Sequence, residues 1–282
     1  MALNIQTNVA SLEANRNVQR NQRALMGSFN KLSSGFRVNS ASDDAAGLAI
    51  SESMKSQIRS FTVADRNAGD GMSMAQTAEG ALGEVHDVLG RMRELAMQGS
   101  NGSLGSADRD FLNNEFGSLQ GEISRIQEST KFNGQKLVDN GTPGVGRAVT
   151  FQVGLNNDVN DQISVSFSNV DLSAVNVNAT TNVAGVDSAA SLASLGAIDT
   201  AIQTVSSARS TYGAAANKLQ VASNNVQTMR LNISAANSRI RDVDVAEETA
   251  NMARNQVLSQ AGVSILSQAN QLPQMAFGLI GR

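Results

Sequence analysis

The chain has no cysteine and no tryptophan, a single tyrosine and a single histidine among 282 residues, and only 4% of it is aromatic. Without cysteine there can be no disulfide and no thiolate metal site, although the redox compartment stays open. So few large rings leave little to fill a thick globular core, so any core must be thin even though the length admits one or two domains. With His86 alone, a two-histidine zinc motif is impossible and every serine- or cysteine-histidine arrangement rests on one residue. His86 lies on a helical pattern in Glu84-Val-His-Asp87, where a packing or solvated role is the expectation. No apolar run approaches the roughly 20 residues of a membrane span. The balance of 22 basic and 25 acidic residues gives a net charge of −3 without a basic run, which argues against nucleic acid as a partner. The start, Met1-Ala-Leu-Asn-Ile-Gln-Thr-Asn8, has neither a basic opening nor an apolar core, so export would not use a cleaved secretory signal. Enzymatic activity, a cofactor and a metal are therefore not expected.

What the chain does have is a three-four apolar stripe. It runs through Ile198, Ile202, Val205, Tyr212, Leu219, Ala222, Val226, Met229, Ile233, Ala236, Ile240 and Val243, and continues in smaller residues to Ile265. That spacing is the signature of a coiled-coil seam, and it predicts one uninterrupted helix of roughly 70 to 75 residues. A first partner lies in residues 44 to 98, where Leu48, Met54, Ile58, Phe61, Ala68, Met72, Leu82, Val85, Leu89 and Met92 repeat in the same way. A further helix is predicted over 107 to 129 from Phe111, Leu112, Phe116, Leu119, Ile123 and Ile126. Asp43 and Asp44 are placed to cap the helix at 44, and Ser106 or Asp108 the one at 107. Gly99-Ser-Asn-Gly-Ser-Leu-Gly105 reads as the turn between them. Asp242-Val-Asp244, Glu247 and Glu248 beside Arg239 and Arg241 read as a solvated, ion-paired helix face.

Period two replaces helical spacing after Pro143. Val149, Phe151 and Val153 alternate with polar residues, as do Ile163, Val165 and Phe167, which predicts a β-hairpin at about 147 to 168 with one apolar face. An isolated hairpin is marginal in water, so it should pack on the helices. The two chain ends carry weak seams: Ile5, Val9, Leu12, Leu25, Phe29 and Leu32 at one end, Val257, Ala261, Ile265 and Leu272 at the other, among many Gln and Asn. The apolar area they offer is small against about 1 to 2 kcal/mol of backbone entropy per residue, so both ends should need other copies to order them. The fold class expected is mainly α, an elongated antiparallel coiled-coil or helical bundle with a small β-hairpin and paired terminal helices. Residues 1–43 with 236–282 form a terminal coiled-coil domain, and residues 44–235 a bundle with the hairpin.

Several strings together resemble bacterial flagellin: Leu3-Asn-Ile-Gln-Thr-Asn8, the stretch from Leu32-Ser-Ser-Gly-Phe-Arg-Val-Asn39 to Ala49-Ile50, Phe132-Asn-Gly-Gln-Lys-Leu137, Phe151-Gln-Val-Gly154 and Ser267-Gln-Ala-Asn-Gln-Leu-Pro273. They span nearly the whole chain in order. The resemblance implies a subunit of the extracellular flagellar filament used for swimming, its terminal arms forming an inner tube and the rest a surrounding layer. It is to a minimal form, since only about 45 residues stand where larger flagellins insert outer domains. It further implies unfolded export through the flagellar type III apparatus with a chaperone, and filament cap and junction proteins as partners. A hook-filament junction protein is the alternative, with another secreted helical bundle behind it. By the same resemblance, Arg91, Leu95 and Glu115 match the contact used by the vertebrate toll-like receptor for flagellin, and serve inter-subunit packing as well.

Overall fold

The computed structural model describes residues 8–138, 147–167, 170, 172 and 189–280, with side chains described as far as residue 271. The elements are α1 (Val9–Ser34), α2 (Ala45–Gly99), α3 (Ser106–Ser129), β1 (Lys131–Phe132), β2 (Gln135–Lys136), β3 (Arg147–Gln152), β4 (Gln162–Phe167), α4 (Ala189–Arg241) and α5 (Val245–Ile280). Two compact units divide the chain: the first holds Met1–Ile58 and Asn232–Arg282, the second Arg59–Leu231.

In the second unit the three predicted helices and the hairpin share one core. Leu82, Val85, Leu89, Met92 and Leu95 of α2, Phe116 and Ile123 of α3, and Ile198, Val205, Tyr212 and Leu219 of α4 are all fully buried in it. Helices α2 and α4 run antiparallel, with Asp65 accepting from the Ser223 hydroxyl at 2.6 Å and Glu79 from Arg209 at 2.7 Å. Those two contacts lie two heptads apart on each helix, which is the repeat the stripe dictates. The hairpin pairs Val149 with Val165 and Phe151 with Ile163, so the apolar residues of both strands share one face as the alternation requires. That face is held to the helices by Phe167 stacked on Tyr212, with ring centroids 5.6 Å apart, and by the Asn67 side-chain amide donating to the Gln152 carbonyl at 3.0 Å. Gly71 permits the approach of α2 to the hairpin, because a Cβ there would sit 3.0 Å from both Leu219 and Phe151.

The turns show how local chemistry sets the elements. Asp44 caps α2 by accepting from the Gly47 amide at 2.8 Å, as its position predicts. At α3 the first residue outside the helix is Gly105, and it is Asp108, not Ser106, that closes the end, accepting from the Gly105 amide at 3.2 Å. The carbonyls at the C-terminus of α2 are satisfied by buried Arg109, whose guanidinium donates to Gly99 and Asn101, each at 3.1 Å. A second hairpin, unforeseen in the sequence reading, joins β1 to β2 through Asn133 (φ 47°) and Gly134 (φ 76°), a pair suited to a turn needing two positive φ angles.

The single helix expected from Ile198 to Ile265 is two helices. α4 stops at Arg241 and α5 starts at Val245. Backbone groups at the break are taken by the first segment of the chain instead of by the next helical turn. The Arg37 amide donates to the Arg241 carbonyl at 2.6 Å, the Val243 amide to the Gly35 carbonyl at 3.0 Å, and Phe36 bridges Asp242. Asp244 then restarts the helix by accepting from the Ala246 and Glu247 amides at 2.9 and 3.2 Å. Of the acids expected on a helix surface, Asp242 and Asp244 thus form the break and a new cap, while Glu247 and Glu248 lie in the first turn of α5. Periodicity alone could not show this, because Val243 keeps the stripe in phase across the interruption.

Candidate functional site

Two surfaces hold the residues singled out in the sequence. The first is the antiparallel pair of α1 and α5. Asn8 caps α1 by accepting from the Ser11 amide at 3.1 Å while its own amide donates to the Ala269 carbonyl at 2.8 Å. The Ser11 hydroxyl donates to Asn270 at 2.7 Å. Further along, Val18 rests on Gly262, where an added Cβ would come within 2.8 Å of it. α1 ends at Gly35, whose φ of 73° closes the helix in the left-handed conformation.

This pairing buries strikingly little by the measure of its length: among described side chains of the two helices, Val18, Ser28 and Ala269 are the buried ones. Of the seam residues named from sequence, Leu25 and Leu32 are half-buried, whereas Val9, Leu12, Phe29, Val257, Ala261 and Ile265 are exposed. Val9, Phe29 and Val257 keep more than 60% of their surface in water. Ile5 lies outside the described residues, and Leu272 has no described side chain. On α1 the contact keeps Leu25 and Leu32 of the named seam, which lie at heptad spacing from buried Val18, while the other described seam residues stay largely in water. Gly262 lets the backbones approach there, and a glycine carries no weight in an apolar-stripe reading. Between the helices, Leu25, Met26, Phe29, Met252 and Gln256 line an open groove of about 530 Å³.

The joint below this pair is polar. Arg241 lies over the Phe36 ring, 4.6 Å from its centroid, and pairs with Glu52; Ser51 donates to Asn237 at 2.7 Å, and the Arg37 guanidinium to the Ile240 carbonyl at 2.7 Å. The bond from Arg241 holds the Glu52 carboxyl below its ordinary 4.5, and amide and hydroxyl donors from Ser40 hold Asp43 below 3.8. A group whose folded pKa is depressed stabilises the fold above its unfolded value, and that contribution is lost as the pH falls through the folded one. The joint should be intact above pH 4.5 and loosen in more acidic solution. Carboxyl-carbon NMR titration should place the Glu52 midpoint below 4.5 and move it up in Arg241→Ala; an unmoved midpoint would count against the pairing.

The second surface surrounds Arg91. Its guanidinium donates to Glu115 of α3 at 2.8 Å and to Glu94 at 2.9 Å, and both acids hold its pKa up, Glu115 foremost. Arg91 and Glu115 are exposed, while Leu95 is 1% exposed and belongs to the core. The arrangement offers a bridged pair at the surface with Leu95 beneath it, not an apolar anchor beside an arginine. Helical spacing puts residues four apart on the same side but does not say how deeply each is sunk when α3 packs alongside. Exposed bridges of this kind contribute little to stability.

Comparison with known proteins matches the chain to two family models: the bacterial flagellin N-terminal helical region over residues 5–142 and the bacterial flagellin C-terminal helical region over residues 195–280. It is 44% identical over 277 residues to a flagellin of Halalkalibacterium halodurans, covering 98% of this chain and 99% of that one. A flagellin of Bacillus subtilis is 40% identical over 305 residues, with 99% and 100% covered. Among solved structures, Bacillus cereus flagellin is similar at a TM-score of 0.50 and 32% identity, over 61% of this chain and 94% of that one.

Proposed function

The chain belongs to the bacterial flagellin family, structural subunits that self-assemble into the extracellular flagellar filament, and from that premise we propose how its surfaces divide the work. The α1–α5 pair is the polymerising element. The observation that carries this is the mismatch between its few buried side chains and its row of exposed Val9, Leu12, Phe29, Val257 and Ile265. An aliphatic or aromatic side chain of that kind gains about 1.5 to 3 kcal/mol on full burial, which neighbouring copies would supply. Ordering of the ends is then coupled to incorporation, which restrains polymerisation in the cell and favours the filament by mass action. Strong amide-exchange protection of both helices in the isolated monomer would contradict that coupling.

Export completes the reading. A chain without cysteine and with weak ends suits passage in an unfolded state through the flagellar export apparatus, guarded by a chaperone, and delivery beneath a filament cap onto junction proteins. A junction protein is the less favoured role, since identity to flagellins runs over the full length. The catalytic reading has only His86 behind it, and the proposed role is purely structural.

The test is electron microscopy of purified protein added to short filament seeds, beside a variant lacking residues 258–282. Long filaments from the parent and none from the variant are expected. Failure of the parent to elongate would overturn the filament role.

The Arg91–Glu115 pair is proposed as the surface that the vertebrate toll-like receptor for flagellin engages, through the planar donor fork of Arg91. Arg91→Ala should weaken receptor signalling by the monomer tenfold or more, on the order expected of a central arginine contact. A variant that signals as the parent does would remove the assignment.

A further inference from the structure

Phe111 stands out on α3. It is 74% exposed, the most exposed of the large aromatic side chains described, although the same helix sinks Phe116 completely into the core. Its surroundings are acidic: Asp110 precedes it, Asp108 lies three residues back on the same side of the helix, and Glu115 lies four residues on. Elsewhere in the same unit, β4 and α4 leave between them a groove of about 320 Å³. Buried Val165 and Ala215 and half-buried Ile163 give it an apolar base, and exposed Ser166, Ser210 and Lys218 stand at its edge. Lys218 forms no ion pair among the described residues, and neither does Asp110.

We propose that Phe111 of one copy docks in the β4–α4 groove of a second copy, with Asp110 and Asp108 set against Lys218. The proposal rests on the filament reading and names a contact within it. Growth of a filament requires a heterologous contact, in which two different patches of the same chain complement each other and the contact repeats without closing. A protruding ring flanked by acids and an apolar groove edged by a cation and hydroxyls are two such patches, matched in shape and in charge sign. A buried aromatic inserted into a pocket is also the kind of residue that carries a large share of interface energy. The groove between α1 and α5 is a poorer match for this ring, since the polar residues lining it, Asn30 and Gln256, carry no positive charge.

The experiment uses the full chain in seeded elongation. Phe111→Ala should raise the critical concentration about tenfold or more while leaving monomer unfolding unchanged, as befits an exposed side chain. Lys218→Glu should act in the same direction, and adding Asp110→Lys to it should restore part of the loss. Because the chain has no cysteine, Asn114→Cys with Ser210→Cys keeps Phe111 in place and reports the contact directly. A short bismaleimide should then give a ladder of dimers, trimers and higher products from filaments, and none from dilute monomer. Parent-like elongation of Phe111→Ala, or filaments that yield no ladder, would overturn the contact. An unsubstituted chain that does not elongate would overturn the filament reading itself, a result the two arms keep distinct.

Discussion

Phe29→Glu combined with Ile265→Glu is expected to abolish filament growth while leaving the monomer as stable as the parent. Both side chains are exposed in the single chain, so removing them costs the monomer no core packing, and surface substitutions of this kind change stability by about 0.5 kcal/mol at most. In a filament the same positions lie, on the present account, among apolar side chains of other copies. A carboxylate placed there loses its water without gaining a cation, at a cost of several kcal/mol. Every 1.4 kcal/mol is about a factor of ten in an association constant, so even two such units per added subunit would raise the critical concentration about a hundredfold. Sedimentation of seeded reactions over a concentration series measures this directly. Filaments at parental concentrations would mean that these side chains face solvent in the assembly. Urea unfolding of the monomer, run alongside, guards against loss of folding as the cause.

The second large effect belongs to the other unit. Phe116→Ala should destabilise it by about 3 to 5 kcal/mol, since the ring is fully buried in the core that α3 shares with α2 and α4 and its removal leaves a cavity that packed helices close only in part. Urea unfolding followed by far-ultraviolet circular dichroism, with the midpoint compared at unchanged slope, is the appropriate measurement. A loss under about 1 kcal/mol would show that α3 is not integral to that core. Phe111→Ala, five residues earlier on the same helix, is the internal contrast: it should leave unfolding unmoved and affect growth alone. One helix thus presents one phenylalanine to folding and one to assembly.

Much of the second unit was legible before its structure. The three-four stripes of α2 and α4 and the alternating strands β3 and β4 follow from periods set by backbone geometry, and a buried face leaves each period in the sequence. Phe111 broke the pattern because periodicity reports that a residue sits near an apolar stripe, not that a neighbour covers it. Leu95 erred the other way: four residues from Arg91, it was read as surface and is core, because depth depends on where α3 lies. The interruption at Asp242–Asp244 was hidden by Val243, which preserves the phase of the seam while carbonyls and amides are taken over by Gly35 and Arg37. Only a cap reading of Asp244, an acid followed by Glu247 three residues on, could have found it. The pairing of α1 with α5 was expected, but part of what makes the contact was hidden for another reason. Beside Val18, Leu25 and Leu32 it uses Gly262 and the polar bonds of Asn8 and Ser11, whose worth lies in close approach and hydrogen bonding, and an apolar count gives these none. The exposed residues that such a count did find point outward, where the filament proposal sets other copies.

In the filament, the apolar residues left in water on α1 and α5 are proposed to be covered by other copies of the chain. A cryo-electron microscopy reconstruction of filaments grown from this protein, at a resolution that places side chains, tests it most directly. Val9, Leu12, Phe29, Val257 and Ile265 should each lose most of their exposure against α1 or α5 of neighbouring subunits. A filament in which these side chains remain open to solvent, with subunits held together through the second unit alone, would contradict the account.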